Sequence, residues 1–363
     1  MSTGRAAVLV EPNRIETWDV PIVDPGPGEV LVSVVVGGVC GSDLHITTGD
    51  AGLMPFPIIL GHEGVGRIEA LGAGVSADYA SIPVKVGDLV CWSPIALCGH
   101  CYSCTVLEQT PCENSQFFEH AERPNWASYS DYAWLPRNLA FYRLPDGARP
   151  DAVAALGCAL PTALRGFEQA GPVRADETVV VQGAGPVGLA AVLVAAVSGA
   201  REIIVIDQVP KRLEVAMKLG ATAGLSLTDL TPAQRREQVY ERVGPNGPSI
   251  VVEAAGALPA FPEGVDLTGN HGRYVILGLW GQMGMASIEP RELTIKNIQI
   301  KGATFPKPKH YYGAMQLSAR LQDTHELTDL VTHRFGVDDA AAALHAVEAG
   351  EAIKAVIDPA ISA

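Results

Sequence analysis

Positive charge is what this sequence has least of: 26 Lys and Arg stand against 40 Asp and Glu, a net charge of −14. That balance argues against a non-specific binder of nucleic acid or of anionic membranes, since both reward Lys/Arg patches. A phosphate-bearing ligand must instead be held by local dipoles and a few placed cations. A signal-peptide core is missing as well, because the apolar run at residues 6–10 spans only five positions before a charge. The one long uncharged stretch, residues 179–200, is interrupted by Gly183, Gly185, Pro186 and Gly188. It reads as a buried strand, a tight turn and a buried helix rather than a membrane span. Neither an internal repeat nor a low-complexity linker is found. Cysteine is sparse and odd in number, at seven. An odd count without a secretory leader speaks against a disulfide framework and for a reducing, cytoplasmic compartment.

What cysteine there is lies concentrated. Cys98-x-x-Cys101-x-x-Cys104 is followed seven residues later by Cys112. C-x₂-C spacing lets neighbouring sulfurs reach one ion, and four thiolates suit tetrahedral Zn²⁺. Such a Cys₄ set leaves no position for water, so a structural zinc is expected, in a lobe over about residues 91–115. Cys91 falls outside the set and reads as a core residue.

With 363 residues, 48% of them hydrophobic and 18% charged, the chain has the size for two globular domains. Its first 150 residues alternate short Val/Ile runs (30–36, 65–68, 88–91) with Gly/Pro turns, the mark of a β-rich domain. An Ala-rich helical stretch is expected over 151–170, and strands and helices then alternate through 178–182, 186–198, 202–207, 210–219, 250–254 and 274–279. Alternation of that kind implies an α/β domain with a doubly wound parallel sheet. From about Phe305 the pattern turns helical again and ends in a short apolar run at 355–358.

Gly183-Ala-Gly185-Pro186-Val187-Gly188 places G-x-G-x-x-G between the first strand of that domain and its helix. Gly183 permits the tight turn, Gly185 admits a pyrophosphate to the backbone, and Gly188 lets helix and strand pack closely. The next strand ends in Asp207, nineteen residues past Gly188. A carboxylate there bonds ribose hydroxyls and repels a 2′-phosphate, which favours NAD over NADP. Arg212, five residues on, is the residue that could instead accept a 2′-phosphate.

Three further candidates are spread along the chain: Cys40 in Cys40-Gly-Ser-Asp-Leu-His45, His62 in Gly61-His-Glu-Gly-Val-Gly66, and Cys158 in Leu156-Gly-Cys158. A Cys₂His set with one open position suits a catalytic zinc, which lowers the pKa of a hydroxyl placed there. Spacing alone leaves open whether these three converge or are separate core and turn residues.

Taken with Val86-Gly-Asp-Leu-Val90, these motifs in this order resemble the zinc-dependent medium-chain dehydrogenase/reductase family, alcohol dehydrogenase type, over essentially the whole chain. The resemblance implies a GroES-like catalytic domain (1–160 and 305–363) and a Rossmann NAD-binding domain (161–304), with the active site in the cleft between them. It implies two Zn²⁺ per subunit, the catalytic one on Cys40, His62 and Cys158. By the same resemblance Ser42 accepts the substrate proton, His45 passes it on, and Asp43 orients the ligating imidazole. Glu63 is the glutamate that approaches the metal, and Thr162 and Lys354 lie near the nicotinamide and the pyrophosphate. Gly41 departs from members that carry a basic pyrophosphate contact there.

Cys158, where polyol dehydrogenases of the family often have Glu, points to simple or cyclic alcohols. The expected activity is therefore oxidation of a secondary alcohol, cyclic ones included, to a ketone. The rivals are a polyol or sugar-alcohol dehydrogenase and a non-catalytic dinucleotide-binding protein. Trp92, Phe117, Phe118, Trp126, Trp280 and Phe305 are candidates for an apolar pocket. A homodimer or homotetramer is implied, with no nucleic-acid or membrane partner.

Overall fold

The computed structural model describes residues 2–49, 56–117, 120–122, 125–279 and 284–361, so Phe118 and Trp280 lie outside the described residues. The chain divides into two compact units, Met1–Cys158 with Lys307–Ala363, and Ala159–Pro306.

The first unit opens on β1 (Thr3–Glu11) and β2 (Arg14–Pro21), an antiparallel pair. It continues with β3 (Val30–Gly38), α1 (Gly41–Thr48), β4 (Ile58–Ile59), β5 (Gly64–Leu71), β6 (Leu89–Ala96) and α2 (Tyr102–Thr105). β7 (Tyr132–Leu135), β8 (Leu139–Arg143) and α3 (Pro150–Ala154) follow. Val30, Val32, Val34 and Val36 are all buried, as are Ile68, Val90 and Trp92 on neighbouring strands. Branched side chains of this kind suit a pleated surface covered on both faces.

The second unit begins with α4 (Ala159–Ala170) and then alternates β9 (Thr178–Gln182), α5 (Pro186–Val197), β10 (Glu202–Asp207), α6 (Pro210–Lys218), β11 (Ala223–Ser226) and α7 (Pro232–Val243). β12 (Ile250–Glu253), α8 (Ala260–Leu267), β13 (Arg273–Ile276), α9 (Pro290–Lys296) and β14 (Gln299–Gly302) complete it. All its strands are parallel, in the order β11-β10-β9-β12-β13-β14. That is the doubly wound dinucleotide order, with its switch point between β9 and β12. Val179, Val180, Val181 and Ile203–Ile206 are buried, and so is α5 along most of its length. The uncharged stretch is thus a core strand and core helix, and no helix among the described residues is long and apolar enough to cross a membrane.

The chain returns to the first unit through α10 (Pro308–Leu321), β15 (Val331–Phe335), α11 (Ala340–Glu348) and β16 (Lys354–Ile357). The order β15-β16-β3-β5-β6-β8, with β7 also on β3, joins the end of the chain to its beginning.

One expected element is corrected. The Ala-rich stretch 151–170 is two helices, because residues 155–158 leave helical geometry between α3 and α4. The Cys158 N–H donates to Glu63 Oε1 at 2.9 Å instead of to a helical carbonyl. The break is what releases Cys158 towards Cys40.

Candidate active site and metal centres

Cys40 stands at the mouth of α1, immediately after β3 and Val39. Asp43, in the first turn, reaches back to accept the Cys40 N–H through Oδ2 at 3.0 Å, which closes the helix start. Its other oxygen, Oδ1, faces His62 Nδ1 at 2.9 Å. Asp43 is wholly buried and His62 nearly so. A carboxylate on Nδ1 holds the proton there and leaves Nε2 as the lone-pair atom, the usual arrangement for a ligating imidazole.

The three distant candidates do meet. Cys40 Sγ lies 3.3 Å from Cys158 Sγ, and Cys40, His62, Glu63 and Cys158 each bring a ligand atom within 4.8 Å of the others. Zn–S bonds of 2.3 Å in a tetrahedron put sulfurs about 3.8 Å apart, so the donor set fits a zinc after a small adjustment. Of the two thiols, Cys40 is the one favoured as thiolate: the hydrogen bond from Cys158 brings its pKa down to about 5. Ser42 Oγ sits beside this set, 3.2 Å from Cys40 Sγ and 3.3 Å from His62 Nε2. His45, half-buried, is three residues further along α1 on the same side of the helix. Where a Cβ on Gly41 would stand there is nothing within 4 Å.

Glu63 is enclosed. A Cβ on Gly38 or Gly157 would overlap its carboxylate, so both flanking glycines are needed for it to lie where it does. Burial pushes its carboxyl up, but its partners, the positive charge of Lys354 foremost, outweigh this and bring it down to about 2. The Lys354 ammonium is 2% exposed and pairs with Glu63 Oε2, while donating to the Val39 carbonyl at 3.0 Å. A cation so enclosed braces Glu63 and the strand end before Cys40.

The second cluster is Cys98, Cys101, Cys104 and Cys112, in the segment after β6 and around α2. Cys98 Sγ is 4.0 Å from Cys104 and 3.8 Å from Cys112, close to the tetrahedral spacing. Backbone N–H groups, that of His100 foremost, bring the Cys98 thiol down to about 6 and ready it as a thiolate ligand. All seven cysteines are free thiols, and Cys91 is buried with its pKa pushed up to about 12 by desolvation, which leaves it inert.

In the other unit, Gly183 has φ +93 and a Cβ there would meet the Ala255 backbone at 2.7 Å; Gly188 is likewise closed off by the Gly183 carbonyl. Gly185, at the N-cap of α5, has nothing within 4 Å of its Cβ position. The open glycine leaves room for a ligand to approach the backbone, and Pro186 and Val187 begin a helix whose first N–H groups would favour an anion. Asp207, at the end of β10, is 7% exposed. Its Oδ2 accepts the Ala184 N–H at 2.6 Å and its Oδ1 the Val209 N–H at 2.7 Å. A carboxylate has about four acceptor sites, so capacity for ribose hydroxyls remains. Arg212 on α6 and Thr162 on α4 are half-buried.

The aromatic candidates separate. Trp92 and Trp126 are core: each indole is buried and donates to a carbonyl, Trp92 to Trp126 and Trp126 to Pro94, both at 2.8 Å. Phe117 stands 6.3 Å from the His62 ring and lines a cavity with Ile59, His62, Pro94, Asn125 and Trp126. Phe305 is half-buried at φ +50. Tyr129, which donates to Asp43 Oδ2 at 2.9 Å, carried no motif that sequence reasoning could have read.

Residues 26–146 match the alcohol dehydrogenase GroES-like domain, and residues 186–320 match the zinc-binding dehydrogenase family. The chain is 68% identical over 358 residues to 5-exo-hydroxycamphor dehydrogenase of Pseudomonas putida, covering 99% of each. Among solved structures it is similar to an alcohol dehydrogenase from Thermotoga maritima (TM-score 0.92, 30% identity, 99% of this chain and 100% of that one). It is also similar to a zinc-binding dehydrogenase from Sinorhizobium meliloti bound to NADP (TM-score 0.87, 26% identity, 99% and 100%). With both domains matched and one relative similar end to end, the chain belongs to the zinc-dependent medium-chain dehydrogenase/reductase family, of the alcohol dehydrogenase type.

Proposed function

We propose that this protein oxidises a secondary alcohol on an apolar ring to the ketone, with NAD as hydride acceptor and one catalytic and one structural zinc per chain. The observation that carries the reading is the meeting of Cys40, His62 and Cys158 around an Asp43-oriented imidazole. The ring-alcohol substrate rests on the relative that is 68% identical, whose name states its action on 5-exo-hydroxycamphor. Ile59, Pro94, Phe117 and Trp126, which line the cavity beside His62 together with Asn125, support it by offering mostly carbon contact to a ring.

When bound, the zinc supplies a Lewis acid that acidifies the substrate hydroxyl, and the dinucleotide supplies a hydride acceptor. The chain's own residues handle the proton. Ser42 Oγ, beside both Cys40 Sγ and His62 Nε2, is placed to accept it from the hydroxyl, and His45 on the same helix face is placed to carry it onward. Glu63, held by Lys354, keeps Cys158 in position through its N–H.

The test is NADH formation from NAD⁺ with bicyclic, monocyclic secondary, linear secondary, primary and polyhydric alcohols, each with and without a zinc chelator. Chelator-sensitive turnover, fastest on the bicyclic alcohols, is the expected result. Faster turnover of polyols would replace the substrate reading, and a protein that binds both zinc and NAD yet turns nothing over would favour the non-catalytic rival. For the cofactor, Asp207→Asn should lower the preference for NAD over NADP about ten- to a hundredfold, the worth of roughly 1.5–3 kcal/mol for a hydrogen bond to a charged group. An unchanged ratio of kcat/KM for the two cofactors would remove Asp207 from that role.

A further inference from the structure

Asp43 is held from a direction that the ligand motifs do not reveal. Its wholly buried carboxylate takes three donors: the Cys40 N–H at 3.0 Å, His62 Nδ1 at 2.9 Å and the Tyr129 hydroxyl at 2.9 Å. Because the carboxylate is wholly buried, its charge is shared, among the described residues, by these three donors, and what one draws off the others do not receive. Tyr129 is itself fully buried and clamped. Its N–H donates to the Leu60 carbonyl at 3.0 Å and its carbonyl accepts the Ala7 N–H at 2.8 Å. Its ring fills the space beside Gly61, the residue before His62, where φ is +92 and a Cβ would collide with it. Burial pushes the phenol well above its ordinary range, so the hydroxyl remains a donor.

We propose that Tyr129 is a positioning residue that sets the orientation and donor strength of His62 towards the catalytic metal, acting through Asp43. The proposal rests on the reading of Cys40, His62 and Cys158 as that metal's ligands. Its physical basis is competition at one carboxylate. The Tyr129 hydroxyl draws charge away from Asp43 and so weakens the pull of Asp43 on the Nδ1 proton. Without that hydroxyl the Asp43–His62 bond tightens and the imidazole gains anionic character. Nε2 then gives more electron density to the metal, which withdraws less from the substrate oxygen.

The test uses the zinc-loaded full chain with ¹⁵N-labelled histidine, following the His62 Nδ1 proton resonance. Tyr129→Phe keeps the ring and removes the donor, so the resonance should move downfield. Fluorotyrosine at position 129 keeps the shape and strengthens the donor, so the resonance should move upfield. In Tyr129→Phe, kcat should fall about tenfold with KM nearly unchanged, the lower end of the loss seen when a partner of a metal ligand is removed, since Tyr129 is one bond further out. Opposite displacements in the two variants support the proposal; resonances that stay put, or that move the same way, overturn it. Should Tyr129→Phe not fold, the fluorotyrosine protein decides by the same criterion. Failure of the underlying reading would look different: the wild-type protein would hold zinc at the Cys₄ cluster only, and its His62 resonance would not respond to zinc loading.

Discussion

Cys158→Ala is expected to lower alcohol-dependent NAD reduction by about a thousandfold or more, with the fold and the cofactor site intact. The size follows from what the ligand set is for. Lewis-acid stabilisation of charge on oxygen is worth several kcal/mol, and about 4 kcal/mol corresponds to about three decades of rate. The substitution removes only Sγ. The N–H of residue 158 remains and still donates to Glu63 Oε1, so the break between α3 and α4 has its own support. Two measurements separate the outcomes. Metal analysis should show zinc falling from two per chain to one, because the Cys98/Cys101/Cys104/Cys112 cluster shares no ligand with the altered site. Titration of NADH fluorescence should show binding close to that of the wild type, since the glycine loop and Asp207 are untouched. Full activity in a protein with one zinc would sink the Cys₂His mechanism.

Much of this site was legible in the sequence because its parts are local. Four cysteines within fifteen positions and six residues of glycine loop carry their geometry in their spacing, since short segments have few ways to present such groups. Asp43 was within reach for a similar reason: three residues after Cys40, it lies in the first turn of the same helix. The long-range partners were not. Tyr129 stands 86 positions from Asp43, and Lys354 stands 291 positions from Glu63. Their neighbours in sequence are strand and turn residues that look the same whether or not a phenol or an ammonium is used. The split of the 151–170 helix was hidden too, because alanine favours helix on both sides and the acceptor that takes the Cys158 N–H at the break, Glu63, lies 95 positions away. Trp92 shows the opposite case, an aromatic that reads as a pocket wall but is fixed in the core by its own indole hydrogen bond, while Trp126, held in the same way, also lines the cavity beside His62.

Lys354→Met is expected to destabilise the protein by about 3–5 kcal/mol, the cost of leaving one member of a buried ion pair without its partner. The reason lies in how Glu63 is enclosed. Gly38 and Gly157 pack against its carboxylate, and Lys354 is the cation that the structure pairs with it. Methionine matches the length and apolar stem of lysine, so little packing is lost and the change is mainly one of charge. The melting temperature of the zinc-loaded protein should fall on the order of 10 °C. The double variant Glu63→Leu/Lys354→Met should recover most of that loss, because removing both charges also removes both desolvation costs. Its activity should nevertheless stay low, since the Cys158 N–H would lose its acceptor and the ligand loop its brace. Recovery of stability without recovery of turnover is the outcome that separates this role from a phosphate contact. Had Lys354 served the cofactor instead, Lys354→Met would leave the melting temperature of the cofactor-free protein unchanged and raise only the KM for NAD. An exposed cation behaves in that way; one that is 2% exposed and bonded to the Val39 carbonyl at 3.0 Å does not.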